Sequence, residues 1–260
     1  MCKSSKKYFV FLILTLVLSI PFYVWGALFP VEGLPFGLPI SFLMIFVPFL
    51  LSLIFAWKEN GIKEISLMFK SILDIKDAKR WSVIFCIFCM PLVAALSYLT
   101  MKLFTFPLPT ETIILHKEIP LMVILYFLGA IPEEFGWTYT LTEPLFKSYG
   151  SIKSGIIIGI TWASWHIVPW GWAHPSWWIF GMCVLNILMR IAMVDAYIYG
   201  GKSLFTGLIF HTMINVSMGI FPNNGSHMNT WFFSAWMLIL LLSLRYFIRR
   251  KIKTLVLGQN

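Results

Sequence analysis

The stretch PLMVILYFLGAIPEEFGWTYTL, residues 120–141, decides the fold. Its length matches the roughly 20 residues needed to cross a hydrocarbon core about 30 Å thick, yet it carries adjacent carboxylates, Glu133 and Glu134, in an otherwise apolar run. A carboxylate near the centre of a spanning helix costs about 2.5 to 3.5 kcal/mol on insertion scales, so such groups persist where they face a protein interior or a water-filled cavity. A polar site enclosed by membrane helices satisfies both observations.

The remainder of the chain reads the same way. Of 260 residues, 59% are hydrophobic and only 12% charged, with mean hydropathy +0.82, whereas soluble domains carry about 25% charged residues. Residues 1–260 are therefore read as a single polytopic membrane domain. Apolar runs of spanning length lie near 8–28, 36–57, 81–101, 120–141, 154–172, 177–199, 204–221 and 230–248, so the expected fold class is an all-α membrane protein of about eight transmembrane helices. The first run follows Lys3, Lys6 and Lys7 but exceeds a signal-peptide core and lacks a small-residue cleavage site, so it is read as an uncleaved span.

The net charge of +9 does not point to nucleic acid, because the basic residues gather just outside the apolar runs. With the N-terminus cytoplasmic, the outside connections hold only Lys102 and Lys117, which fixes both termini in the cytoplasm and requires an even number of spans. The segment from Lys58 to Arg80 mixes charges with Ile62, Ile65, Leu67, Phe69 and Leu73 and reads as an amphipathic surface helix. Cys86 and Cys89 form a CxxC inside the apolar run FCIFCM and read as small buried thiols. The tryptophans Trp25, Trp57, Trp81, Trp170, Trp172, Trp177 and Trp178 fall near span ends, as an interfacial belt requires.

Two further runs carry polar groups: TWASWHIVPW with Trp162 and His166, and FHTMIN with His211 and Asn215. Each pair is spaced i,i+4 and so shares a helix face. Counted at about 1.5 Å per residue from the cytoplasmic end, Glu133 lies at about 12 Å, His211 at about 11 Å, Asn215 at about 17 Å and His166 at about 18 Å. Helices of opposite direction thus bring these groups to overlapping depths, and Pro132 beside the glutamates offers a local break that would admit water. One buried hydrolytic site is the leading reading. Structural hydrogen bonding between helices and proton or cation transport are the alternatives. His116, His174 and His227 fall in connections outside the site.

PEEFGW, the WxxxH of Trp162 to His166 and the HxxxN of His211 to Asn215 resemble, in order and spacing, the three motifs of the CPBP family of CAAX prenyl endopeptidases and bacteriocin-processing (Abi) membrane proteins. The similar region is 130–221, and the family's eight-helix core agrees with the run count. The resemblance implies an intramembrane endopeptidase acting on a membrane-associated peptide, for example in bacteriocin or signal-peptide maturation or in self-immunity. Carried over by motif, Glu133 would be the base for water, assisted by His166, while His211 and Asn215 would stabilise the oxyanion and Glu134 would be the second motif carboxylate.

The family's first motif usually reads EExxxR, and here Thr138 stands at the arginine position. That departure raises a catalytically silent interaction or immunity protein as an alternative. Arg190, in the sixth run and at about 15 Å on the same count, offers a substitute cation, with pairing to Asp195 as the competing explanation. Metal use stays open: Glu133, His166 and His211 could make a His₂Glu zinc site, and a metal-free mechanism uses the same residues. The expected partners are the lipid bilayer and a membrane-associated peptide, and the small size and lack of targeting extensions suggest a multi-pass protein of a bacterial plasma membrane.

Overall fold

The computed structural model describes residues 6–29, 40–108 and 117–257; Cys2, Lys3, His116 and the start of the second run lie outside them. Nine α-helices occur among these residues: α1 (Lys6–Leu28), α2 (Phe46–Lys70, entered through the 3₁₀ turn Ile40–Ile45), α3 (Arg80–Leu103), α4 (Ile119–Glu134), α5 (Thr142–Gly171), α6 (Ser176–Tyr199), α7 (Leu204–Gly219), the short α8 (Pro222–Gly225) and α9 (Thr230–Leu257). No strand occurs among the described residues. Each of the eight apolar runs is thus occupied by a helix, and six of these helical stretches are long and apolar enough to cross a membrane. α7 is apolar but shorter. α5 is not among the six: Glu143 and Lys147 precede its break at Gly150, Lys153 follows it, and the uncharged length beyond carries Trp162, Trp165, His166, Pro169 and Trp170.

Two breaks shape the helices, and both are glycines with positive φ. Asn60 and Gly61 interrupt α2, with Gly61 at φ 60°, and redirect the chain into the amphipathic segment ending at Lys70. Gly150 interrupts α5 at φ 75° and separates its charged start from its apolar length. Left-handed backbone of this kind is cheap only for glycine.

Close packing of α5 on α6 is the contact that builds the site. A Cβ added at Gly155 would lie 2.5 Å from Ile191 Cα, and one at Gly159 would lie 2.8 Å from Ile187 Cα and 3.3 Å from Arg190 Cβ. Gly155 and Gly159 form a GxxxG face, and in an apolar solvent such small residues let helix backbones touch and gain dispersion contacts that bulkier residues prevent. α9 closes on the other side of α6, where Ser234 Oγ donates to Gly181 O at 3.0 Å and Arg245 pairs with Asp195 at 2.6 Å. Asp195 is therefore held by α9 and is not the partner of Arg190.

α4 does not break at Pro132, contrary to the sequence expectation. It continues through Pro132 to Glu134 and then widens into a π-helical segment, Phe135–Thr140. Pro132 lacks only one donor, and the irregularity falls just beyond it. The wider turns are stabilised by i→i+5 bonds: Leu141 N–H to Gly136 O at 3.2 Å, Thr140 Oγ1 to Phe135 O at 2.8 Å and Thr142 Oγ1 to Trp137 O at 2.9 Å. Hydroxyls thus satisfy carbonyls that an apolar surrounding would leave orphaned.

The thiol and tryptophan expectations divide. Cys86 and Cys89 are buried and free, with Cys89 Sγ 3.8 Å from Met237 Sδ. Trp57, Trp172 and Trp177 are exposed, as belt residues should be, but Trp178 is buried, stacked on His174 with ring centroids 3.6 Å apart. That tryptophan belongs to the core because the α5–α6 turn folds over it.

Candidate active site

Glu133 and Glu134 end α4 on adjacent positions, so their side chains leave the helix about 100° apart and enter different surroundings. Glu133 turns toward α5. Its Oε2 accepts the indole N–H of Trp162 at 2.9 Å and that of Trp137 at 3.3 Å. The carboxylate is 7% exposed, and no cation is paired with it among the described residues. Two donors on one oxygen orient the group while leaving Oε1 available.

Glu134 is fully enclosed and fully engaged. Arg190 Nη1 and Nη2 donate to Oε2 and Oε1 at 2.9 and 3.0 Å, His211 Nδ1–H donates to Oε1 at 2.8 Å, and Thr138 Oγ1–H donates to Oε2 at 2.5 Å. Both ions of the pair are 0% exposed. Burial of each ion costs several kcal/mol, which only good geometry and additional hydrogen bonds can offset. The two-pronged guanidinium and the imidazole and hydroxyl donors supply that geometry. The guanidinium carbon also lies 4.3 Å from the centre of the Trp162 ring, a cation–π contact. Arg190 Nε finds no acceptor among the described residues, which leaves part of the desolvation cost uncompensated.

The position at which Thr138 stands is thus beside the carboxylate that Arg190 holds. Gly207 of α7 packs directly on Thr138, since a Cβ there would lie 2.7 Å from its hydroxyl. A threonine on a glycine lets α7 approach the π-helical segment closely, and the cation reaches Glu134 from α6 instead.

His166 sits in an aromatic box of α5, half-buried. It stacks on Trp170 at 5.0 Å and meets the edges of Trp165 and Trp162 at 4.9 and 5.5 Å. Its Nδ1 is 2.8 Å from Trp162 O. A carbonyl only accepts, so Nδ1 carries a proton and Nε2 of the neutral ring holds the lone pair. Trp165 beneath it is anchored to α1, donating to Ser19 Oγ at 2.7 Å while its carbonyl accepts from Tyr23 at 2.7 Å. His211 is buried and meets Trp162 edge-on at 5.4 Å; Asn215 lies one turn further along α7, half-buried.

The structure therefore gathers Glu133, His166, Arg190 and His211 around the Trp162 ring, with Glu134 behind Arg190 and His211. Two neighbours join them that the motif spacing does not single out: Trp137, one turn after Glu133 in the same motif, and Trp165, the floor under His166. The i,i+4 spacing of Glu133 and Trp137 is a signal for the first. The set Glu133, His166 and His211 does not form a metal cradle. Among the described residues no group of three or more His, Cys, Asp or Glu side chains is arranged to hold a metal ion; His211 and His166 each place Nδ1 on an oxygen, and Glu133 places Oε2 on two indoles.

Residues 115–217 match the family model described as Rce1-like, type II CAAX prenyl endopeptidase Rce1-like. The matched stretch contains all three motifs and agrees with the CPBP resemblance that they carry. A comparison with curated proteins finds no match.

Proposed function

We propose that this chain is an intramembrane endopeptidase with eight transmembrane helices and cytoplasmic termini, α5 and α7 included among the spans, and that it hydrolyses a peptide bond in a membrane-associated peptide without a metal ion. The observation that carries the reading is the division of labour between adjacent carboxylates. Glu134 is locked by Arg190, His211 and Thr138, whereas Glu133 is oriented on one oxygen by Trp162 and Trp137 and keeps the other.

In this mechanism Oε1 of Glu133 takes a proton from water as the water oxygen attacks the scissile carbonyl, and His166 Nε2 holds that water from the other side. The tetrahedral oxyanion is met by Nε2–H of protonated His211 and by the Asn215 amide, fixed donors in a water-poor site where they count for more than in bulk solvent. The proton on Glu133 then passes to the leaving amine as the carbon–nitrogen bond breaks. Arg190 positions Glu134, and Glu134 positions His211; neither exchanges a proton.

Maturation of a bacteriocin or signalling precursor, or self-immunity, in a bacterial plasma membrane is the physiological setting we assign. The test is cleavage of membrane-anchored peptides by purified protein in lipid nanodiscs, followed by mass spectrometry. Cleavage by the wild-type chain that disappears in Glu133→Ala supports the proposal, and equal cleavage by both refutes it.

A further inference from the structure

A cavity of about 350 Å³ opens at the end of the bundle where α1 begins and α6 ends. Its walls include Tyr8 of α1, Phe55 and Glu64 of α2, Tyr139 of the π-helical segment, Glu143 of α5 and Tyr197 of α6. The break at Gly61 brings Glu64 over it, and Tyr139 donates to Glu64 Oε1 at 2.8 Å.

The charges around this cavity are unequal in their partners. Glu59 is paired with Lys7 at 2.5 Å, and Glu143 with Lys147 and Lys202 at 2.9 Å each. Those lysines hold Glu143 below the usual carboxylate range. Glu64 has no cationic partner among the described residues; it has only the Tyr139 hydroxyl. Tyr197 adds a second, independent feature. Its side chain is 92% buried, being 8% exposed, and its hydroxyl makes no hydrogen bond among the described residues yet keeps accessible surface, so it opens into the cavity it lines. A hydroxyl in that position can both donate to and accept from a group entering the cavity.

We propose that this cavity is a binding subsite for one basic side chain, lysine or arginine, of the peptide held by the active site. The ligand's identity as a substrate residue rests on the endopeptidase reading. An ammonium or guanidinium group there would donate to the open Glu64 oxygen and to Tyr197, against the rings of Tyr8, Tyr139 and Phe55 that suit a cation. Tyr139, which lines the cavity, follows Glu133 by six positions on one continuous helical stretch, within the reach of a few residues of extended peptide. The subsite therefore selects a basic residue a few positions from the scissile bond.

The test uses the full chain carrying Glu133→Gln, which binds without needing to cleave, in nanodiscs of neutral lipid. The probes are short palmitoylated fluorescent peptides of Ala, Ser and Leu with one arginine placed at successive positions, and twins in which citrulline, its uncharged isostere, replaces the arginine. At the best position arginine should bind about tenfold more tightly than citrulline. Glu64→Gln, which still accepts the Tyr139 hydroxyl, should erase the difference, and Tyr197→Phe should reduce it about threefold. Equal binding of the twins at every position, an arginine preference unchanged in Glu64→Gln, or tighter binding of a glutamate-bearing peptide would overturn the proposal. Because binding is read in a cleavage-deficient chain, failure of the catalytic assignment shows only in the Glu133→Ala cleavage assay.

Discussion

Arg190 on α6 grips both oxygens of Glu134 on α4, at 2.9 and 3.0 Å, across a sequence distance of 56 residues. This pair occupies the centre of the site with no solvent contact, so it is both a structural requirement and a means of holding His211 in place.

Removing one partner strands the other charge. Arg190→Leu should destabilise the protein by about 3 to 5 kcal/mol and lower cleavage by orders of magnitude. Adding Thr138→Arg in that background returns a cation from the motif position and should recover part of both losses, although Gly207 leaves little room beside residue 138. Thermal unfolding and cleavage rates, measured together, check the pair. No recovery of either in the double variant would mean that the cation must come from α6.

Glu133→Ala and His166→Ala should each abolish cleavage while leaving membrane insertion and thermal stability close to wild type, because neither residue is part of the buried ion pair. Groups that act as a unit in a reaction cost orders of magnitude when any one is lost. Normal processing by both variants would remove the catalytic assignment of this cluster.

The tryptophans at Glu133 make a graded prediction. Trp137→Phe removes a hydrogen bond of 3.3 Å and should slow cleavage about tenfold or less. Trp162→Phe removes the shorter bond and weakens the ring that faces Arg190, and should cost more. Steady-state rates with one peptide rank the two, and a larger loss for Trp137 would contradict the geometry.

Much of the fold and of the site is legible in the amino-acid order, and the boundary is physical. Hydropathy locates the helices: each apolar run holds one, and six of these stretches are long and apolar enough to cross a membrane, because a bilayer imposes length and composition on each spanning segment separately. The motif residues stand out because ionisable groups are rare inside runs this apolar. What hydropathy cannot supply is which helix faces which: Arg190 could meet Asp195 or Glu134, and the choice follows from Gly155 and Gly159 seating α5 on α6 and from Arg245 engaging Asp195. The π-helical segment is equally hidden, since Pro132 draws the expected break to itself while the hydroxyls of Thr140 and Thr142 stabilise a widening further along.

Metal dependence is testable on the purified protein. Since no described trio of donors forms a cradle, treatment with a chelator should leave cleavage unchanged and elemental analysis should find less than one zinc per chain. Loss of activity on chelation that zinc restores would refute the metal-free mechanism, whatever the fate of the Glu133 variants.

The glycine face of α5 links packing to the site. Gly159→Val would place its Cβ 2.8 Å from Ile187 Cα and 3.3 Å from Arg190 Cβ, closer than backbone atoms tolerate, so α6 must move away and carry Arg190 with it. The expected result is destabilisation of about 1 to 3 kcal/mol from overpacking, together with a fall in cleavage, because Glu134 loses part of its bidentate partner. Gly129→Ala on α4 is the matching control: nothing lies within 4 Å of its added Cβ, so relief of glycine's conformational freedom should leave stability unchanged or raise it by about 0.4 to 1 kcal/mol. Unfolding temperature and cleavage rate in both variants decide the matter. A Gly159→Val protein with wild-type stability and activity would show that α5 and α6 are not pressed together as described.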